Sequence, residues 1–286
     1  MAALDQFRTQ CFRRAMRPRI AFTVLSSQRH AGSSHARPMS PISEAVILMA
    51  GEGSRLRGSD KTILKTFVPL LGRPLISYTL DALISAGIKT INFVVGYESE
   101  RVIAQFKQLL PCGLNTFFIE NPDWQKQNGV SVLAAASRIM SPFLLTMSDH
   151  LFDNTIVDHL IESADPDLLN LAVDRKLDSI FDLGDAMKVQ TRGNRVIGIG
   201  KDLRDYDAID TGLFVCSLEI FDYLQRAKSG SGGRDCSLAD GVRIMAADNK
   251  VRAINIGTAW WQDVDTPQML RHAEKEMAKR AEHALT

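Results

Sequence analysis

The segment Ala45-Val46-Ile47-Leu48-Met49-Ala50-Gly51-Glu52-Gly53-Ser54-Arg55-Leu56 constrains the fold more than any other dozen residues of this chain. An apolar run leads into a glycine-bearing turn, and an arginine follows at once. Short apolar runs bounded by glycine read as buried strands. A strand that ends in such a turn offers backbone N–H groups and one fixed cation to an anionic ligand such as a phosphate chain.

The pattern continues downstream. Val46–Met49, Thr90–Val95, Thr116–Ile119 and Phe143–Met147 read as short strands, while Leu75–Ala86, Glu98–Leu110 and Gly129–Met140 carry helical apolar spacing. This alternation predicts βαβ crossovers and an α/β, Rossmann-like fold: a mixed, mainly parallel sheet with helices on both faces. Ligands in such sheets sit at the carboxyl ends of the strands. Here those ends are Ala50–Arg55 and Ser148-Asp149-His150. After residue 165 the pattern loosens into strands at Leu168–Val173, Met187–Gln190, Val196–Ile199, Gly212–Cys216 and Val251–Ile256. Ser229–Gly233 reads as a flexible loop, and Pro267–His283 as a charged closing helix.

A chain of 286 residues suits one large α/β core. Residues 44–286 are therefore expected to form one domain, with 44–152 serving the phosphate chain and 153–286 an acceptor and a closing metal ligand. The net charge of +1 gives no argument for nucleic acid. It hides an asymmetry, because residues 1–38 carry seven arginines against the single acid Asp5. Residues 1–43 are expected to be a basic, disordered leader. Their arginine-rich composition also resembles an organellar transit peptide, and a start at Met39 is a third reading. No apolar run reaches the roughly 18 residues that span a bilayer, so stable membrane insertion is not expected. Cys11, Cys112, Cys216 and Cys236 are scattered without metal-ligand spacing, which suits a reducing compartment, and the expected location is cytoplasmic.

The glycine turn is not a Walker A loop, since no Gly-Lys-Ser/Thr follows, and it lacks the third glycine of a dinucleotide fingerprint. Its residues suit backbone amides around a base and phosphates, with Arg55 against a developing pyrophosphate. Lys65 follows in Lys65-Thr66-Phe67-Val68-Pro69-Leu70-Leu71-Gly72-Arg73-Pro74-Leu75-Ile76, and Lys61 competes with it for the same role. Asp149 ends an apolar strand, where a carboxylate is costly to desolvate unless it binds something. Asp263 and Asp265 stand in Trp260-Trp261-Gln262-Asp263-Val264-Asp265-Thr266-Pro267. Asp149 and Asp263 together suit one Mg²⁺ completed by water and phosphate oxygens. Asp265, just before Pro267, is read as a helix N-cap. His150, beside Asp149, is read as structural or as a support for that carboxylate rather than as catalytic.

Together, the glycine-arginine loop, the Lys-x-x-x-Pro-Leu-x-Gly-x-Pro-Leu-Ile run, the strand-end aspartate and the Trp-x-Asp-Val-Asp-Thr-Pro ending resemble the nucleotidyltransferases that activate sugar and alcohol phosphates. The resemblance covers residues 45 to about 275. Within that family, Gln127–Val132, Leu145–Phe152 and Ile199–Gly212 are most similar to the inositol-1-phosphate cytidylyltransferases. It implies a nucleotide-diphospho-sugar transferase fold and an in-line attack of inositol 1-phosphate on CTP, giving CDP-inositol and pyrophosphate.

By position, the resemblance implies that Arg55 and Lys65 meet the triphosphate and that Asp149 and Asp263 hold Mg²⁺. Ala50, Gly51, Gly53, Asn128, Gly129 and Ser131 would contact the nucleotide. Lys201, assisted by Lys188, would meet the incoming phosphate, and Asp210 and Thr211 would face the polyol hydroxyls. Some relatives carry a fused membrane enzyme, so a separate membrane-bound synthase that uses CDP-inositol is an expected functional partner. Phosphocholine, a sugar 1-phosphate or another polyol phosphate are the alternative acceptors, and a catalytically silent regulator is the alternative class.

Overall fold

The structure, a computed structural model, describes residues 42–57, 62–111 and 113–283. The expectations for the leader, for Met39 and for Lys61 fall outside the described residues.

Among the described residues nine strands form one sheet in the order β5-β4-β1-β6-β11-β8-β12-β10-β9. These are β1 Glu44–Leu48, β4 Thr90–Val95, β5 Asn115–Glu120, β6 Phe143–Met147, β8 Leu169–Asp174, β9 Lys188–Arg192, β10 Arg195–Gly200, β11 Ala208–Cys216 and β12 Val251–Asn255. The pairs β5–β4, β4–β1, β1–β6 and β8–β12 are parallel. Within this sheet only β10 and β11 run against the others. Because β11 lies between β6 and β8, the sheet passes without a break from the first half of the chain into the second.

Strand alternation sorts the core onto two faces. Val46 and Leu48 of β1 pack on one face with α4 (Asn128–Ala134), α6 (Glu219–Gly230) and α7 (Leu238–Ala247). Ala45 and Ile47 pack on the other with α2 (Ile76–Ser85), α3 (Ser99–Phe106) and α5 (Asn154–Ser163). Phe93 shows why this second face is firm. It is fully buried, with the rings of Phe106 and Phe118 centred 4.7 and 5.3 Å away. Truncating such a side chain to alanine costs about 3–5 kcal/mol.

Among the described residues two small antiparallel pairs frame the carboxyl end of the sheet. β2 (Pro69–Leu70) pairs with β3 (Arg73–Pro74), and β7 (His150–Phe152) with β13 (Trp261–Asp263). A short helical turn, α1 (Ser54–Arg57), and the closing helix α8 (Pro267–His283) flank a third cluster containing Leu56, Leu151 and Val264. Among the described residues no helix is long and apolar enough to cross a membrane.

Among the boundaries that differ from the sequence reading, three have a plain physical reason. The helix expected over 129–140 stops at Ala134 and continues as turns with i→i+3 bonds such as Arg138 N–H to Ala135 O. Apolar spacing reports the buried face, not the hydrogen-bond type. The expected loop at 229–233 begins instead as the last turn of α6, which runs through Gly230. β11 starts at Ala208, four residues ahead of the expected Gly212, because Ala208 and Ile209 pair with β9.

Candidate active site

The glycine loop leaves β1 where β1 and β4 end together. Met49 N–H donates to Val94 O at 3.0 Å, and Tyr97 N–H to Ala50 O at 2.8 Å. The Ala50 carbonyl is thus committed. Gly53 has a φ of 67°, and a Cβ there would lie 2.4 Å from the Lys65 Cβ. Only glycine satisfies both the backbone and the space, because the Lys65 stem crosses the loop at this point. Gly51 is exposed with no atom near its missing Cβ.

Lys65 opens a 3₁₀ turn, and its side chain is 14% exposed. Its ammonium donates to both Asp149 Oδ2 and Asp265 Oδ1. Burial works against the charge, yet the two carboxylates prevail and hold Lys65 above the ordinary lysine value. Asp149 shows the converse: burial opposes its ionisation, but Lys65 and then His150 keep its carboxyl well below the usual range. His150 Nδ1 lies 2.6 Å from Asp149 Oδ1. Its imidazole fills the space beside Gly212, where a Cβ would meet Nε2 at 2.3 Å. His150 thus orients Asp149, in keeping with a structural role.

Asp263 sits opposite His150 in the β7–β13 pair, and Val264 N–H donates to Asp149 O at 2.9 Å. The two aspartates therefore stand on zippered neighbouring segments. Asp263 forms no ion pair among the described residues, and burial, helped by the like charges of Asp149 and Asp265, raises its pKa despite His150. Among the described residues no three or more His, Cys, Asp or Glu side chains form a preformed metal cage. Two carboxylates completed by water and phosphate oxygens are the usual way Mg²⁺ is held, so this donor set fits a hard divalent cation.

Asp265 corrects the sequence reading. It does not cap α8; the Thr266 hydroxyl does, accepting from Met269 N–H at 3.2 Å. The Asp265 carboxylate instead joins Lys65 to Arg55, accepting from Arg55 Nη2 at 2.6 Å. Asp-Val-Asp spacing in a strand puts both acids on one face, and that was the available signal. Arg55 also donates from Nη1 to Asp185 Oδ2 at 3.2 Å, while Asp185 Oδ1 accepts from Lys201. Nothing in the local sequence marked Asp185.

A cavity of about 610 Å³ opens beside this chain of ion pairs, lined among others by Asn128, His150, Asp185, Lys201, Asp210 and Asp263. Its wall is tied down by buried Asp174, whose Oδ2 accepts from Trp261 Nε1 at 3.0 Å. Asp210 accepts from Gly212 N–H at 2.7 Å, and burial pushes its pKa up to about 6.

Several expectations shift here. Thr211 is fully buried and donates to Ala172 O at 2.9 Å, so its hydroxyl is turned away from the cavity and is not available to a polyol. Lys188 is not a lining residue; its ammonium donates to Lys201 O at 2.6 Å and so supports the backbone of Lys201. Gly129 is buried so close to Cys236 that a Cβ would lie 2.6 Å from its O, and buried Ser131 accepts from Asn121 Nδ2 at 3.0 Å. Both have packing roles, leaving Asn128 as the exposed member of that trio, with its Oδ1 accepting from Leu238 N–H at 2.8 Å.

Residues 45–181 match the MobA-like NTP transferase domain family. The chain is 36% identical over 233 residues to a bifunctional IPC transferase and DIPP synthase of Rubrobacter xylanophilus, covering 81% of this chain and 51% of that protein. It is 30% identical over 240 residues to the protein of the same description from Aquifex aeolicus, covering 84% and 53%. The chain thus spans about half the length of the curated relatives it matches. Among solved structures it is similar to the inositol-1-phosphate CTP transferase from T. maritima, with a TM-score of 0.74, 26% identity and coverage of 84% and 96%. A UDP-glucose pyrophosphorylase in complex with UDP-glucose, 16% identical with a TM-score of 0.70 and coverage of 84% and 99%, shares the fold.

Proposed function

We propose that this chain, which belongs to the nucleotidyltransferase family marked by the MobA-like NTP transferase domain, transfers CMP from CTP to inositol 1-phosphate. The observation that carries the reading is the convergence of Arg55 and Lys65 with Asp149 and Asp265 at the strand ends, joined through Asp185 to Lys201. Cations and carboxylates from both halves of the chain meet where two anionic substrates would have to be brought together.

A phosphate oxygen of the alcohol phosphate attacks the α-phosphorus of the triphosphate. The new P–O bond forms as the bond to the β-phosphate breaks, and pyrophosphate leaves with the electron pair. The protein's contribution is alignment and charge compensation. Backbone amides of the Gly51–Gly53 loop receive the triphosphate. Arg55 and Lys65 exchange their carboxylate partners for phosphate oxygens and stabilise the departing pyrophosphate. Lys201 receives the acceptor phosphate, and Asp210 accepts from an acceptor hydroxyl. A bound Mg²⁺, held by Asp149 and Asp263, would reduce the repulsion between the two anions.

Pyrophosphate release from a panel of nucleoside triphosphates and alcohol phosphates tests the reading. Release with CTP and inositol 1-phosphate, dependent on Mg²⁺, is the expected result. Release only with phosphocholine or a sugar 1-phosphate would move the acceptor assignment, and no release from any pair would favour a silent regulator.

A further inference from the structure

Asp185 lies in the segment between β8 and β9 and faces two cations from opposite halves of the chain. One carboxylate oxygen accepts from Arg55 and the other from Lys201. All three side chains are water-accessible, at 40% for Asp185, 60% for Arg55 and 50% for Lys201, so these pairs can exchange. Their backbones are held: Ala186 N–H donates to Asp182 O at 3.1 Å, and the Lys188 ammonium binds Lys201 O. A carboxylate that gives one oxygen to each of two cations occupies the position that one phosphate group would take between them.

We propose that Arg55 and Lys201 are the two walls of a single anion seat for one phosphate group, and that Asp185 is its built-in competitor. The inference deepens the transferase reading, which otherwise gives Arg55 to the leaving pyrophosphate and Lys201 to the incoming phosphate. One phosphate touching both cations lies at the junction of the two substrates. Asp185 must leave the seat before any phosphate enters, and its return favours release of the departing anion. An intramolecular occupant lowers apparent affinity by the fraction of time the seat is free. Each exposed ion pair is weak, so the occupant is displaceable.

Calorimetric titration of the full chain with inorganic phosphate, at pH 8 and constant ionic strength, reads the seat without turnover. Asp185→Asn should tighten phosphate binding by about three- to tenfold, for a seat otherwise free a third to a tenth of the time. The gain should vanish when Asp185→Asn is combined with Lys201→Ala or with Arg55→Ala. Asp182→Asn removes the same charge from the same cavity without touching either cation, and should leave phosphate binding unchanged. Unchanged affinity in Asp185→Asn, a gain that survives loss of either cation, or an equal gain in Asp182→Asn would each overturn the proposal. Because no turnover is needed, failure of pyrophosphate release would count against the transferase reading alone.

Discussion

The ammonium of Lys65 lies between the carboxylates of Asp149 and Asp265, which reach it from 84 and 200 residues away. Removing it leaves two acids facing each other across a largely buried gap. Lys65→Met should lower the rate of pyrophosphate release by roughly 10² to 10³, the usual loss for one group aimed at developing charge. It should also destabilise the fold by roughly 3 kcal/mol, as loss of one partner from a buried pair does. Millimolar Mg²⁺ should recover part of the thermal midpoint without restoring the rate. Full activity in this variant would remove Lys65 from the site.

Asp263 carries the opposite prediction for stability. Its native pKa lies above the unfolded value, chiefly through burial. The native state therefore binds the proton more tightly, and stability is lost as pH rises from the unfolded value through the native one. At neutral pH the ionised carboxylate is a cost. Asp263→Asn should raise the thermal midpoint in metal-free buffer at pH 7–8 and flatten its dependence on pH, while abolishing turnover. A lower midpoint together with undiminished Mg²⁺-dependent activity would contradict both halves.

Two glycines of one loop should respond differently. Gly53→Ala forces a positive φ on alanine and drives a Cβ into the Lys65 stem. It should cost about 1–3 kcal/mol and lower the rate together with the stability. Gly51→Ala meets no neighbour and should change stability by less than about 0.5 kcal/mol. Any loss of CTP affinity in Gly51→Ala would then report on ligand approach alone. Urea titrations of both variants make the comparison.

Lys201→Ala should raise the KM for the alcohol phosphate much more than that for CTP. The Lys201 side chain is half exposed and, among the described residues, pairs with Asp185 alone, so folding should be unaffected. Equal changes in the two Michaelis constants would place Lys201 elsewhere.

Asp210 should introduce a pH dependence centred near its raised pKa of about 6. Above that pH the ionised carboxylate is the better acceptor for a substrate hydroxyl, so the KM for the acceptor should fall. A phosphate monoester titrates in the same region. The ratio of wild-type to Asp210→Asn Michaelis constants cancels that contribution and should itself show a midpoint near 6.

The parallel half of the fold was legible in the sequence because its signals are local. β4 and β6 begin and end where apolar runs meet glycine, proline, serine or charged residues, and Gly53 marks a turn whose backbone needs it. Amphipathic period likewise located α2 and α3, and a charged run marked α8, although the period misjudged where α3 and α4 end. The chemistry-bearing residue types at the strand ends could also be listed from the sequence: Arg55, Lys65, Asp149 and Asp263.

Only the tertiary structure decided how these residues are paired. Asp265 changed from a helix cap to a bridge between Lys65 and Arg55, and Thr211 turned from the cavity to Ala172. Asp185 emerged as the link between Arg55 and Lys201. Local propensity is a property of neighbours along the chain and can be read from a dozen residues. An ion pair depends on distance in space, and here that distance is set by β11, which enters the sheet between β6 and β8 and brings the two halves together.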